Sequence, residues 1–185
     1  SSRLSPSIKI GRNELLDDFY HVFSINMRDL GTPVYGKDFF SNALDSFGDA
    51  AKLIVIYLND KPVACAFLLG FKETLEIPWA STLKEFNPVG INMTMYWEIL
   101  TFAIRQGYSN FDFGRCTKDC GTYKFKKQWG AQPIPFYWHY SLPDGEQLPQ
   151  LNPNNPKFKL LVAVWKRLPV ALTKLIGPHV VKYLP

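Results

Sequence analysis

The sequence predicts an α/β or α+β protein, a mixed and mostly antiparallel sheet flanked by helices. Three observations carry that expectation. Leu53-Ile54-Val55-Ile56-Tyr57-Leu58 is an unbroken apolar run. The turn residues Asn59-Asp60-Lys61-Pro62 follow it, as a buried strand returning antiparallel through Val63 to Phe71 requires. Residues 91–106, INMTMYWEILTFAIRQ, keep Thr94, Glu98, Thr101 and Arg105 on one stripe and are apolar nearly everywhere else. That is the pattern of a helix covered on most of its circumference. Phe111-Asp112-Phe113 then alternates as a strand with both rings on one face, ended by Gly114.

Taken in order, Ile8-Lys9-Ile10 is a candidate first strand. Asn13 is a good helix N-cap, with Asp17 and Asp18 near the positive end of the macrodipole. Leu15, Leu16, Phe19, Val22, Phe23, Met27 and Leu30 follow at helical spacing until Gly31. Lys37 to Phe47 is a second amphipathic helix, with Phe39, Phe40, Ala43, Leu44 and Phe47 inward and Gly48 at its end. Thr74 to Ser81 makes a third strand of the meander. Beyond Gly114 comes the polar loop Arg115-Cys116-Thr117-Lys118-Asp119-Cys120, then a short helix from Thr122 to Trp129 that Gly130 stops. Pro133 and Pro135 lead into Phe136-Tyr137-Trp138-His139-Tyr140, expected as a returning aromatic strand. The chain thus divides into a body over residues 1–143, a proline- and asparagine-rich linker over 144–156 and a basic amphipathic helical tail over 157–185.

With 185 residues, 46% hydrophobic and 15% aromatic, the chain can bury a core, and disorder is excluded. The net charge of +5 is not spread over the protein. Residues 157–185 carry six basic side chains and no acid, so the remainder stands at −1. The body therefore lacks the general basic field of a nucleic-acid binder. Cys65, Cys116 and Cys120 form no disulfide framework and favour a reducing compartment. Cys116 and Cys120 have no Cys-x-x-Cys partner, and His21, His139 and His179 are scattered, so no metal site is expected. No apolar run of about 18 residues suggests a membrane span.

The residues from Phe111 to Gly130 carry a resemblance. FDFG, a loop and GTYKFKKQWG resemble the signature of Fem-type aminoacyl and acyl transferases: Phe-Lys, two variable residues, an aromatic and Gly. Those positions here are Phe125-Lys126-Lys127-Gln128-Trp129-Gly130, with Trp where the family more often has Phe. NMRDLGTPVYGKDFF and PKFKLLVAVWKRLP are similar to one branch. That branch is the FemAB-like proteins associated with exosortase (PEP-CTERM) and exopolysaccharide clusters of Gram-negative bacteria. The likeness covers nearly the whole chain, as the second of the two acetyltransferase-like (GNAT) domains that such proteins usually carry. It implies a GNAT fold and transfer of an acyl or aminoacyl group to an amine or hydroxyl of an envelope or exopolysaccharide precursor. It also implies a preceding GNAT domain and a small-molecule or glycan precursor as partners; the cysteines point to a cytoplasmic protein, and the basic tail to one that can lie at the inner membrane.

Lys126 is the leading catalytic candidate, because the family's matching lysine is credited with stabilising charge on the former carbonyl oxygen, as a fixed ammonium does. Composition alone would make it a solvated surface lysine. Asp112, on the opposite strand face from the two rings, and Asp119 are candidate bases. Arg115 follows the strand directly, suited to a phosphate or carboxylate at the mouth of a cleft. Arg28, near the end of the first helix, can point the same way or simply complement the helix dipole. Tyr123 and Lys124 complete the expected substrate-binding set; Lys124 and Lys127 are otherwise surface charges. No cofactor is firmly indicated, and the acyl donor is either aminoacyl-tRNA or acyl-CoA. CoA-dependent enzymes of this kind cradle the pyrophosphate with a Gln/Arg-x-x-Gly-x-Gly/Ala turn before the central helix. The corresponding stretch here, Phe86 to Asn92, has one glycine and a proline that lacks an N–H. That argues against an ordinary CoA site, while the near-neutral body gives tRNA little electrostatic footing. Two alternatives remain open: a non-catalytic GNAT-like support or binding domain, and a conventional acyl-CoA-dependent N-acetyltransferase. In the tail, Lys159, Lys166, Arg167 and Lys174 gather on about a third of the helical wheel. That suits an anionic membrane surface or packing on the preceding domain.

Overall fold

The computed structural model describes residues 5–137, 139–143, 145 and 156–183; most of the expected 144–156 linker lies outside them. The chain forms two compact units, one of the residues up to Gly114 together with those from Val162 onward, the other of Arg115–Leu161.

The larger unit is built on a five-stranded sheet in the order β1-β2-β3-β4-β5. Its strands are β1 (Ser7–Gly11), β2 (Ala51–Leu58), β3 (Lys61–Phe71), β4 (Thr74–Thr82) and β5 (Asn110–Asp112). The first four pair antiparallel and β5 joins β4 in parallel. The expected meander and the placing of the Phe111 run beside the third of its strands are therefore both observed. The Asn59-Asp60 turn takes φ of 49° and 59°, the left-handed geometry of a tight hairpin.

The apolar alternation decides what covers each face. Leu53, Val55, Tyr57, Cys65 and Phe67 point to α1 (Leu16–Leu30) and α2 (Lys37–Phe47). The intervening Ile54, Ile56, Ala64, Ala66 and Leu68, also buried, point to the other face, where α3 (Ile91–Arg105) packs on β3 and β4. The first face is aromatic at its centre. Phe40 is fully buried, with ring centroids of Phe19, Phe23, Phe67 and Trp79 at 5.0, 5.1, 5.9 and 5.3 Å. Such edge-on and tilted contacts add to the area term of burial.

Several expectations need correction. Asn13 does not cap α1: residues Asn13–Leu15 form a 3-10 turn, and the Asn13 amide bonds Asp45 instead. Phe47 is 53% exposed, and Phe39, though it packs on Tyr35 and Trp79, is only partly covered, because α2 presents only Phe40 and Leu44 fully to the core. On α3, Met93, Trp97 and Ile104 are exposed, so the helix is covered on one side rather than on most of its circumference. Phe136, Tyr137, His139 and Tyr140 do not form a strand; Trp138 is outside the described residues. The prolines at 133 and 135 remove two ladder donors just before that run.

The tail is two helices, broken at Pro169, while Pro178 lies inside the second. Helix α5 (Pro156–Trp165) ends before Leu168-Pro169, and α6 (Val170–Val181) starts after it. Helix α6 packs on α1. Its Gly177 fits so closely that a Cβ would sit 2.9 Å from both the N and the O of Val34. Thr173 is buried on the same side, and the Lys174 ammonium lies 5.1 Å from the centre of the Tyr20 ring.

The smaller unit holds α4 (Gly121–Gln128), one residue earlier at each end than expected. Gly130, at φ 84°, turns the chain after it.

Candidate active site

Strands β4 and β5 pair over only three residues: Thr74 with Asn110, Leu75 with Phe111, Glu76 with Asp112. Beyond that point β4 continues to Thr82 without a β5 partner. Two local features part the strands. Pro78 offers β4 no N–H to a neighbour, and Asp112 turns its own chain by accepting from the Gly114 N–H at 2.7 Å. Gly114 takes φ 69°, a conformation that favours glycine. The ladder therefore ends at Asp112 while β4 runs on to Thr82.

Glu76 and Asp112 stand side by side at the last paired position. Glu76 is also directly opposite Leu69, which packs on the α1–α2 core, so both carboxylates belong to that face. Phe111 and Phe113 lie on the other, where Phe113 stacks on Tyr96 with centroids 5.8 Å apart and planes 8° from parallel. Burial pushes the Tyr96 phenol up to about 12. Glu76 is half-buried while Asp112 is exposed. Burial raises the Glu76 carboxyl above its ordinary value, and the charge of Asp112 adds to that. Two neighbouring carboxyls held in unequal environments can divide proton acceptance and charge stabilisation between them. Asp112 was expected as a base on the open face; Glu76 was not anticipated.

On the same body a cleft of about 510 Å³ lies between the last turns of α1 and the chain leaving β4, lined by Ile25, Arg28, Asp29, Leu83, Lys84 and Glu85. Arg28 lines this cleft, which does not include Arg115, and its guanidinium is held: Nε donates to Asp29 at 2.6 Å and Nη1 to the Leu168 carbonyl at 3.2 Å. Asn26 donates to the buried Ser81 hydroxyl at 3.0 Å, tying α1 to the end of β4.

The donor turn has a definite shape. Residues Lys84–Val89 coil into a 3-10 helix, and Gly90, at φ 72°, leads into α3. The Phe86 N–H is used on the Leu83 carbonyl and the Gly90 N–H on the Asn87 carbonyl. Pro88 has none. Two of the turn's N–H groups are thus engaged within it, and a third is missing.

The other expected residues lie in the smaller unit. Lys126 Nζ donates to the Arg115 carbonyl at 3.0 Å, which ties the helix residue back to the loop. Asp119 is exposed and sits at φ 63°, in the turn where the Cys120 N–H returns to the Thr117 carbonyl. The Cys120 sulfur caps α4, accepting from the Tyr123 N–H at 3.4 Å; its contact with the Thr122 hydroxyl at 2.9 Å is the main cause of a lowered thiol pKa. Tyr123 lies under the Lys127 ammonium at 5.8 Å, and Lys124 is exposed. No group of three or more metal-ligating side chains gathers among the described residues. Glu76 left one sequence signal, an acid inside the apolar strand TLEIPWAS, but its partner is fixed only by the β4–β5 register.

Residues 7–127, about two-thirds of the chain, match the family described as acetyltransferase (GNAT) domain. Comparison with curated proteins gives no match. Solved structures with this fold include an aminoglycoside acetyltransferase from an uncultured soil metagenomic sample in complex with sisomicin. It is 13% identical with a TM-score of 0.60, over 75% of this chain and 97% of that one. A ribosomal-protein-alanine N-acetyltransferase from Brucella melitensis biovar Abortus 2308 is 13% identical with a TM-score of 0.57, over 75% and 100% of the two chains. An aminoglycoside N-acetyltransferase in complex with CoA is 8% identical with a TM-score of 0.59, over 75% and 95%. At these identities the likeness is one of fold.

Proposed function

Because this chain belongs to the acetyltransferase (GNAT) domain family and is an acyltransferase, we propose that it moves an acyl or aminoacyl group onto an amine or hydroxyl of an envelope or exopolysaccharide precursor, in the manner of Fem-type transferases. In this reading Glu76 accepts the proton of the incoming nucleophile as the new bond to the carbonyl carbon forms. Asp112, exposed beside it, draws a cationic acceptor to the sheet edge. Lys126, in the smaller unit and held by its bond to the Arg115 carbonyl, is the motif's own candidate for stabilising an oxyanion and is tested apart from the two carboxylates. Collapse of that intermediate expels the donor's leaving oxygen or sulfur.

The observation that carries the Fem-type donor is the turn from Lys84 to Gly90, whose N–H groups at Phe86 and Gly90 are already spent within it. A conventional acetyl-CoA-dependent N-acetyltransferase is the second reading, favoured by the family match and by the CoA-bound structural neighbour. The test is label transfer to amine-bearing glycan acceptors from radiolabelled aminoacyl-tRNA and, separately, from radiolabelled acetyl-CoA. Transfer from charged tRNA alone supports the proposal. Efficient transfer from acetyl-CoA overturns it in favour of the second reading.

A further inference from the structure

The docking of α6 on α1 divides the tail's side chains into two sets. Thr173 and Gly177 turn inward. Leu172, Leu175, His179 and Lys182 recur at spacings of three, four and three on the opposite side. Leu175 is 68% exposed and Tyr183, just past the helix, 80%. Val164, near the end of α5, is exposed as well, while Val162 packs toward Gly31. Exposed cations run among them: Lys166, Arg167 and Lys182. No acidic side chain occurs anywhere in residues 157–185, against six basic ones.

The two components together select the partner. A second copy of the same face would oppose cation to cation. A nucleic acid would use the cations but leave the leucines with nothing to gain. An anionic lipid surface takes both, with the cations at the headgroups and the apolar side chains at the acyl boundary. No helix among the described residues is long and apolar enough to cross a membrane, so the contact lies in the interface plane. We propose that the outward face of α6, with the end of α5, docks this chain on an anionic bilayer surface.

The experiment is cosedimentation of the full chain with vesicles of phosphatidylcholine alone or with one-third phosphatidylglycerol, at about 0.1 M and about 0.5 M salt. Binding to the anionic vesicles, weakened by salt and absent on neutral ones, is expected. Lys166→Gln with Arg167→Gln should weaken partition about 25-fold, taking about fivefold for each cation near the surface. Leu175→Ser should weaken it as well while changing the thermal unfolding midpoint little, since that side chain is 68% exposed. Failure to sediment with anionic vesicles overturns the proposal, and so does a leucine variant that binds as tightly as the parent. A chain that dimerises without lipid and becomes monomeric in the leucine variant also overturns it, making this face a protein interface.

Discussion

Glu76 stands beside Leu69 on a face packed by α1 and α2, and its ionised form is penalised both by lost hydration and by Asp112 across the strand pair. Its folded-state pKa is raised, so the protonated form is the one that folding favours. The stability this contributes is present below the ordinary glutamate value of about 4.3 and is lost as pH rises through the folded value. Glu76→Gln should therefore unfold at a higher temperature than the parent at pH 7, with the gap closing below about pH 4. The same substitution removes the proposed proton acceptor, and turnover should fall by about 10²–10⁴. A stability gain without loss of turnover would leave Glu76 a strained structural residue. Lys126→Met gives the complementary case. Turnover should fall by about 10²–10³, the scale of one oxyanion donor, with little change in stability because the side chain is only half-buried. Retained turnover would leave the lysine as a strap between α4 and the Arg115 loop. In the sequence only the motif around it singles Lys126 out, and its role remains the proposal that this variant tests. Glu76 was not legible there, because its meaning depends on which strand lies next to it and in what register.

At the scale of elements, periodicity exposed β2, β3 and α3 clearly, since each is set by its own apolar pattern. What it could not fix was which apolar positions find a partner. Met93, Trp97 and Ile104 obey the helical pattern and are nevertheless exposed, and Phe136 to Tyr140 has strand composition without a ladder to join among its described residues. Contacts between distant elements decide such cases. Gly177 shows the same limit with a measurable consequence. In a helix interior, glycine to alanine ordinarily stabilises by about 1 kcal/mol. Here the added methyl would meet the Val34 backbone at 2.9 Å on two atoms, and backbone cannot swing aside. Gly177→Ala should instead cost about 1–3 kcal/mol, the range of overpacking. That corresponds to a fall of about 2–12 °C in the unfolding midpoint. A rise would mean that α6 is free to shift off the turn at Val34.

The whole molecule joins a GNAT sheet, whose β4–β5 ladder ends at Asp112, to a turn before α3 that engages two of its own N–H groups. A bound CoA would require that turn to present free N–H groups to phosphate at the start of α3. Phe86 and Gly90 would first have to break the bonds they make to Leu83 and Asn87, and Pro88 could never contribute. Ligand that binds only the folded state stabilises it by about 2.7 kcal/mol at a hundredfold excess over Kd. For a chain of this size that is a shift of about 5–11 °C in the unfolding midpoint. Acetyl-CoA at millimolar concentration should produce no such shift. The control is Pro88→Ala, which restores one N–H without touching the sheet and should not by itself open the turn. A saturable shift with acetyl-CoA on the parent chain would mean that the turn opens on demand. The acyl donor would then be CoA-borne, and the role of the β4–β5 carboxylates would pass unchanged to acetyl transfer onto an amine.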